Sequence, residues 1–223
     1  MLKEMIEEKI SERYKERRQK KNFYPTDSDK CPKRLFLEFK GVVGDGLTIN
    51  NMKTFEIGNY THRYLQELLG GISEFRIDTT WRGHKLTGYA DDLIVLDGLT
   101  VVDYKTVSTF GVKHIIKRPK EEHIKQINLY MDVLKIQRGI LLYWDKNDGT
   151  MIEHEVRLDK NVLDEIDRFF SFVEESLKTN TVPDNMYKLG NYKCKYCPYK
   201  SVCKKIKVWK DEMPILPDDN EKV

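Results

Sequence analysis

The stretch GYADDLIVLDGLTVVDYKT, residues 88–106, decides the fold of this chain. Two runs rich in apolar and β-branched residues flank Asp97-Gly98, a dipeptide that favours a tight turn between antiparallel strands. The stretch therefore predicts a β-hairpin. In its second strand Asp103 and Lys105 are two residues apart, and side chains at that spacing leave a strand on the same face. The pattern thus places a carboxylate and an ammonium group side by side on one face of a sheet.

The sequence on both sides of the hairpin alternates between strand and helix patterns. Strands are predicted at residues 75–81, 85–96, 99–105, 139–144 and 151–158. Helices are predicted at residues 3–21, 32–39, 54–69, 121–135 and 159–177, from apolar residues at helical spacing and turn residues at the ends. This order of elements predicts a mixed α/β fold.

The composition is typical of a globular protein. Of 223 residues, 39% are hydrophobic and 34% are charged, with a mean hydropathy of −0.61, which excludes collagen-like and disordered classes. The longest apolar run, residues 139–144, is far shorter than the roughly 20 residues that cross a bilayer. Residues 1–21 lack the apolar region of a secretory signal, and no Walker-type phosphate loop occurs. We therefore expect a cytoplasmic protein without a nucleotide-driven motor.

Basic residues cluster in two places, although the net charge is only +3. Residues 186–210 contain eight lysines, five aromatic residues and no acid, a mixture that suits a phosphate backbone with stacked bases but also a solvated face. The second cluster precedes the helix predicted at 121–135 and comprises Lys113, His114, Lys117, Arg118, Lys120, His123 and Lys125. Four segments are predicted: a charged helix over 1–26, a core over 27–185, a basic cysteine-rich segment over 186–210 and an acidic, disordered tail over 211–223.

The turn at Asp97-Gly98 decides which carboxylate of the preceding strand lies beside Asp103. A strict two-residue loop pairs Asp103 with Asp92, whereas a three-residue loop or a β-bulge brings Asp91 to that position. Two neighbouring carboxylates repel each other unless a cation neutralises them. Mg²⁺ and Mn²⁺, which prefer oxygen ligands, are the natural cations for such a pair.

The order of motifs resembles the RecB-like branch of the PD-(D/E)XK nuclease superfamily. The motifs are Gly58-Asn-Tyr-Thr-His62, Gly88-Tyr-Ala-Asp91, Asp103-Tyr-Lys105 and Gln126-Ile-Asn-Leu-Tyr130. The resemblance implies a restriction-endonuclease-like core, with a mixed central β-sheet flanked by helices, and it selects Asp91 over Asp92. It implies metal ligation by His62, Asp91, Asp103 and the Tyr104 carbonyl, and catalytic roles for Asp91, Asp103, Lys105, Gln126 and Tyr130. Lys105 would orient the attacking water, while Gln126 and Tyr130 would line the site near DNA.

The four cysteines form a second pattern, in which Cys31 stands alone and Cys194, Cys197 and Cys203 follow C-x2-C-x5-C spacing. Without a secretory signal, metal ligation is favoured over disulfides, and four thiolates suit either zinc or an iron-sulfur cluster. The spacing resembles that of iron-sulfur nucleases, including the CRISPR-associated exonuclease family. This resemblance implies a structural [4Fe–4S] cluster that joins the N-terminal and C-terminal segments.

Together these patterns and the resemblance predict a metal-dependent DNA nuclease, and the resemblance implies that it is an exonuclease. By resemblance, its substrate is single-stranded DNA, degraded 5′→3′ in DNA replication, recombination, repair or CRISPR adaptation. A helicase, a recombinase or a CRISPR integrase is the expected partner. Two alternatives remain open: a structure-specific or flap endonuclease within a complex, and a non-catalytic nucleic-acid-binding module with structural zinc.

Overall fold

The structure is a computed structural model that describes residues 1–14, 19–187 and 191–206. The predicted acidic tail over 211–223 and the last part of the basic cysteine-rich segment lie outside the described residues. Within the described part of the chain, no helix is both long and apolar enough to span a membrane.

A five-stranded mixed sheet forms the centre of the fold, with the strands in the spatial order β1-β2-β3-β4-β5. The strands are β1 (Ile72–Trp81), β2 (His84–Leu96), β3 (Gly98–Val107), β4 (Arg138–Asp145) and β5 (Met151–Arg157). Strands β3 and β4 run parallel, and the other neighbouring pairs are antiparallel. The predicted α/β fold with a mixed central sheet is therefore confirmed.

Helices precede the sheet, connect its parallel strands and follow it. They are α1 (Leu2–Glu12), α2 (Pro32–Phe39), α3 (Ile49–Leu69), α4 (Thr109–Ile115), α5 (Glu121–Leu134), α6 (Lys160–Lys178), α7 (Tyr192–Lys195) and α8 (Lys200–Lys205). The connection from β3 to β4 contains α4 and α5, as a parallel pair requires a long crossover. The first helix ends at Glu12, before the predicted end at residue 21, and residues 13 and 14 form a turn.

The chain divides into two compact units. One comprises Met1–Lys21, Lys30–Glu56 and Ser171–Val223, of which only the described residues are discussed. The other comprises Asn22–Asp29 and Ile57–Phe170 and contains the whole sheet. We call them the terminal unit and the sheet unit. All four cysteines belong to the terminal unit, and all the predicted catalytic residues belong to the sheet unit.

In the sheet unit, α5 packs closely on the parallel strands. A Cβ atom at Gly139 of β4 would lie 2.7 Å from Cδ1 of Ile127 and 3.1 Å from Sδ of Met131, so only glycine fits beneath α5 at this point. Ile127 and Met131 are fully buried. On the other side of the strands, Leu65 of α3 packs with Tyr104 in a second apolar cluster.

In the terminal unit, α2 packs with the residues at the two ends of α8. Phe36 and Leu37 of α2 form an apolar core with Tyr199 and Ile206. Backbone bonds support this packing, because the amide of Asp45 donates to the carbonyl of Pro198 over 2.6 Å. Residues far apart in the sequence thus build this unit together.

Candidate active site

The register of the β2–β3 hairpin decides which carboxylates share a face. Leu96 is paired with Gly98 and Asp92 with Val102, which is one residue away from the register of a strict two-residue turn. Gly98 has φ of +118°, a backbone conformation that glycine tolerates best, and this permits the chain to turn so that Leu96 is paired with Gly98. By this register Asp91 lies opposite Asp103, so the two acids leave the sheet on the same face.

Asp92, the alternative candidate, lies on the opposite face of the hairpin. The hydroxyl of Tyr104 donates to Oδ2 of Asp92 over 2.9 Å, and Ser73 Oγ lies 3.4 Å from Oδ1. The side chain is fully buried, and this burial raises the pKa of Asp92. Asp92 therefore has hydrogen-bond partners in the interior, away from Asp103 and Lys105.

Asp91 is fixed where the β2–β3 ladder ends. Beyond the pair Asp92–Val102, the amide N–H of Tyr104 donates to Oδ2 of Asp91 over 2.8 Å, so a side chain replaces the missing strand partner. Nδ1 of His62, on α3, lies 3.4 Å from the same oxygen. Burial alone would raise the pKa of Asp91, but His62 and Lys105 outweigh it and hold that pKa below its usual value. Asp91 is accordingly ionised.

Asp103 and Lys105 form a buried ion pair. Nζ of Lys105 lies 2.6 Å from Oδ2 of Asp103, whose side chain is fully buried. Burial raises the pKa of Asp103 to about 6, in spite of the lysine beside it. For Lys105, burial acts to lower the pKa, but Asp103 and Asp91 raise it further than burial lowers it. The lysine therefore stays charged between two acids.

Two side chains of α5 complete the hydrogen bonding around Asp103. Nε2 of Gln126 donates to Oδ1 of Asp103 over 2.9 Å and lies 3.4 Å from the hydroxyl of Tyr130. That hydroxyl donates in turn to the carbonyl of Tyr89 on β2 over 2.8 Å. Their i, i+4 spacing places Gln126 and Tyr130 on one helix face, as the sequence predicts. Both side chains are buried against the sheet.

The structure also places two residues at the site that the sequence motifs did not indicate, Gln66 and Glu74. Nε2 of Gln66, a buried side chain on α3, donates to the carbonyl oxygen of Asp91 over 2.8 Å and to Oε1 of Glu74 over 3.0 Å. Glu74 has φ of +50°, unusual for a residue with a side chain, and falls opposite Asp91 where the β1–β2 pairing is interrupted. The signal available in the sequence was the i, i+4 spacing of His62 and Gln66 on the same helix.

The donor atoms suit a hard divalent cation in kind. Two carboxylates and one imidazole converge, and Oδ2 of Asp103 is buried without a hydrogen bond from the described residues, although Lys105 is close to it. In this arrangement, however, the described residues contain no group of three or more His, Cys, Asp and Glu side chains placed to hold a metal ion. Lys105 and the Tyr104 amide instead occupy carboxylate oxygens that an ion would contact.

The four cysteines are free thiols of intermediate burial. Burial raises the pKa of Cys203, Lys33 lowers it, and the thiols of Cys31, Cys197 and Cys194 raise it again. Each of these thiols therefore lies within electrostatic range of Cys203, although they form no metal-holding group among the described residues. The Cys203 thiol donates to Oδ1 of Asn185 over 3.0 Å.

Solved structures with related folds were found by comparison. The crystal structure of SSO0001 aligns with a TM-score of 0.63 at 21% identity, covering 94% of this chain and 98% of that chain. LHK-Exo in complex with dAMP aligns with a TM-score of 0.53 at 18% identity, covering 71% of this chain and 90% of that chain. LHK-Exo is described as an alkaline exonuclease from Laribacter hongkongensis. At these identities both likenesses show a shared fold. No curated protein sequence matches the chain.

A family model gives the decisive match. Residues 70–204 match the PD-(D/E)XK nuclease superfamily, and this range covers more than half of the 223 residues. It includes Asp91, Asp103, Lys105 and Gln126, the residues that the fold gathers on one face of the sheet. The chain belongs to the PD-(D/E)XK nuclease superfamily.

Proposed function

We propose that this protein is a metal-dependent deoxyribonuclease that hydrolyses phosphodiester bonds with Mg²⁺ or Mn²⁺. The observation that carries the proposal is the convergence of Asp91, Asp103 and Lys105, with His62 3.4 Å from Asp91 and Gln126 2.9 Å from Asp103. Nucleases of this superfamily generally use divalent metals such as Mg²⁺ and Mn²⁺.

The ion is assigned to the imidazole of His62, the carboxylates of Asp91 and Asp103, and the carbonyl of Tyr104. When bound, it lowers the pKa of a bound water and neutralises charge that grows on the scissile phosphate. Before it binds, Asp103 is a buried carboxylate whose pKa lies near 6 because burial disfavours its charge. With His62 neutral, as a metal ligand has to be, the pocket contains two carboxylates and one lysine, and a cation would balance the remaining negative charge.

Lys105 supplies a fixed positive charge. Because Asp103 and Asp91 keep its pKa raised, the ammonium group remains protonated and orients the attacking water and the phosphate oxygens. Gln126 restrains Asp103 through Oδ1. Tyr130 is only 3% exposed and donates to the Tyr89 carbonyl, so we assign it a positioning role behind Gln126 in place of a contact with the nucleotide.

The substrate is proposed to be single-stranded DNA with a free end, cut 5′→3′. Support comes from the motif resemblance and from the likeness of the fold to LHK-Exo, which is described as an exonuclease. The same resemblance supports a role in DNA replication, recombination, repair or CRISPR adaptation, beside a helicase, a recombinase or a CRISPR integrase.

The test is incubation of the purified protein with labelled single-stranded DNA, linear or circular, in Mn²⁺ or in EDTA. We expect loss of linear DNA in Mn²⁺, survival of circular DNA and no cutting in EDTA. Cutting of the circle would show an endonuclease, and no cutting of either substrate would contradict the proposal. Asp103→Ala and Lys105→Ala should abolish cutting. The matched control variants are Asp78→Ala and Arg76→Ala, at an exposed pair on β1 with the same two-residue spacing.

The cysteines are proposed to bind a [4Fe–4S] cluster. Four cysteines that all lie in the terminal unit, and whose thiols interact with one another, support this assignment. Cys197 also packs against the apolar core that Phe36 and Leu37 of α2 form with Tyr199 and Ile206. Binding by these thiolates would stabilise the terminal unit because metal binding and folding are linked.

The cluster is tested by iron and zinc analysis of anaerobically purified protein, together with its visible absorption spectrum. We expect about four irons per chain on the basis of four thiolate ligands, and we expect Cys197→Ser to lose both iron and colour. Ser201→Ala is the matched control from the same helix region, since Ser201 bonds to Asp45 and not to a thiol. A colourless protein with one zinc per chain would replace the cluster by a zinc site and would leave the nuclease proposal intact.

A further inference from the structure

The segment directly after the catalytic strand presents cations and exposed rings. From Tyr104 to Lys120 the chain contains no acidic residue, and the basic residues beyond Lys105 are Lys113, Lys117, Arg118 and Lys120. Phe110, on α4, is 73% exposed, which is unusual for so large an apolar side chain. The ring of His114 lies edge-on to it, with centroids 5.2 Å apart. A phosphate backbone with unpaired bases is the ligand that such a surface complements.

This surface is held by contacts on its inner side. The Ser108 hydroxyl accepts a bond from the Gly111 amide and caps α4, while Ile115 at the other end of the helix is fully buried. Nε2 of His154, on β5, lies 2.7 Å from the Ile115 carbonyl. Nδ2 of Asn147 donates to Oγ1 of Thr109 over 3.0 Å. Because α4 is anchored at both ends, the backbone that carries Phe110 is held in place and does not have to be ordered by the ligand.

The segment also begins and ends beside Lys105. It leaves β3 shortly after this lysine, and it returns where the amide of Lys120 donates to the hydroxyl of Tyr143 over 3.2 Å. Tyr143 is the residue of β4 that is paired with Lys105. His123 lies 2.8 Å from the same hydroxyl and fixes the first turn of α5 there. The basic and aromatic surface is therefore attached to the strand that carries the catalytic lysine.

We propose that the segment Ser108–Lys120 binds single-stranded DNA next to the scissile phosphate, with one unpaired base stacked on Phe110, which His114 supports edge-on, and with the flanking phosphates on Lys113 and Lys117. This inference rests on the proposed nuclease function and adds the surface that binds the single strand. Base stacking requires a base without a paired partner above it, so the surface favours a single strand over a duplex.

The test measures the binding of fluorescein-labelled dT15 by anisotropy in EDTA, which stops metal-dependent cleavage. The variants are Phe110→Ala and the double variant Lys113→Glu/Lys117→Glu. Phe172→Ala, at a 51% exposed phenylalanine on α6, is the control for the ring. Lys160→Glu/Lys178→Glu, at exposed positions of α6, is the control for the charge. An oligomer of equal length with abasic sites separates stacking from backbone contact.

We expect Phe110→Ala to weaken binding of dT15 about tenfold, as removal of one base-stacking contact does, and to leave binding of the abasic oligomer unchanged. The double lysine variant should reduce the slope of log K against log salt by about 1.4, for two phosphates on a single strand. Both controls should bind as the wild type does. Equal binding of dT15 by Phe110→Ala, Phe172→Ala and wild type would overturn the inference, as would an equal loss on the abasic oligomer.

Failure of this inference is distinguishable from failure of the proposed function. Wild-type protein that cuts DNA in Mn²⁺, with Phe110→Ala unchanged in affinity, would overturn the binding surface alone. Protein that loses affinity on substitution of Phe110, but never cuts in Mn²⁺, would overturn the nuclease proposal and support the surface.

Discussion

Two acids, Asp103 fully buried in the sheet unit and Glu38 partly buried in the terminal unit, show how opposite charge balances produce opposite results. In the sheet unit, Asp103 has one lysine beside it and a second acid, Asp91, within range, and burial raises its pKa to about 6. In the terminal unit, burial also acts to raise the pKa of Glu38, but Lys30, Arg34 and Lys20 together outweigh burial and lower it. Burial alone therefore does not decide ionisation; the number of neighbouring cations does.

The comparison indicates different roles for the two acids. Glu38 has a structural role, because its three cations satisfy it within the protein. Asp103 lacks such compensation, and a site with an excess of buried carboxylate is what a catalytic cation requires. Removing charge from each site should therefore affect different measurements.

The largest effect is expected at Lys105. Lys105→Ala removes the lysine that is paired with Asp103, and we expect single-turnover cleavage of linear DNA to fall on the order of a thousandfold, as for loss of a preorganised electrostatic group. Arg76→Ala, at an exposed strand position, should leave cleavage within twofold of wild type. Near wild-type cleavage by Lys105→Ala would contradict the assignment of the lysine.

Glu38→Gln should act on stability and not on cleavage. The substitution leaves Lys20, Lys30 and Arg34 close together without their carboxylate, and we expect a loss of about 2 kcal/mol in the free energy of unfolding. Glu8→Gln, at an exposed position of α1, should change that free energy by less than about 0.5 kcal/mol. Denaturant melts followed by circular dichroism would measure the free energy of unfolding of both variants. Equal values for Glu38→Gln and wild type would contradict a structural role of Glu38.

The effect of Glu38→Gln should also depend on pH. Because the folded pKa of Glu38 lies below its unfolded value of 4.5, the stabilisation is fully present above that pH and is lost as pH falls through the folded pKa. The difference between wild type and variant should therefore shrink on acidification below about pH 5. A difference that stays constant from neutral to acidic pH would show that the carboxylate charge plays no part.

An intermediate effect is expected at Gln66, which holds the Asp91 carbonyl and Glu74. Gln66→Leu should weaken Mn²⁺ binding about 10- to 100-fold, the usual range for residues that orient metal ligands, as measured by electron paramagnetic resonance. Gln137→Leu, at an exposed glutamine, should leave the affinity unchanged. Unaltered Mn²⁺ affinity in a folded Gln66→Leu protein would show that Gln66 contributes to packing and does not orient the metal ligands.

The smallest effect is expected on the opposite face of the hairpin. Tyr104→Phe removes the hydroxyl that donates to Asp92 and should cost about 1 kcal/mol of stability, while cleavage stays within twofold of wild type. Tyr89→Phe, at a half-exposed tyrosine of the same hairpin, should change neither quantity. A large loss of cleavage in Tyr104→Phe with normal stability would indicate that Asp92, and not Asp91, belongs to the active site.

Most of the sheet was predictable because its turn residues are unambiguous. Asp97-Gly98 and Asn147-Asp148-Gly149 separate runs of alternating or apolar residues, and β2, β3, β4 and β5 begin and end within two residues of the predicted limits. The turn residues alone did not decide the register of β2 on β3. The positive φ of Gly98 permits the pairing of Leu96 with Gly98, which is shifted by one residue from the pairing of a two-residue loop. That one residue separates Asp91 from Asp92.

Two kinds of feature remained out of reach of the sequence. Helix α4 was not predicted because it is short and contains Gly111, which gives it a low intrinsic helix propensity. Contacts of Ile115 and Thr109 with other parts of the chain stabilise it instead. Gln66 was missed because its partners, the Asp91 carbonyl and Glu74, are recognised only when the chain is folded. Both depend on tertiary contacts.

The packing of Phe36 against Tyr199 has a consequence for biosynthesis. The ribosome makes Tyr199 about 160 residues after Phe36, which at roughly 5–20 residues per second is a delay of about 8 to 32 seconds. Translation has by then supplied every residue of the sheet, whereas α2 leaves the exit tunnel long before its partner exists. A nascent-chain chaperone, or the rate of translation near Tyr199, is therefore expected to influence how much of this unit reaches its native packing.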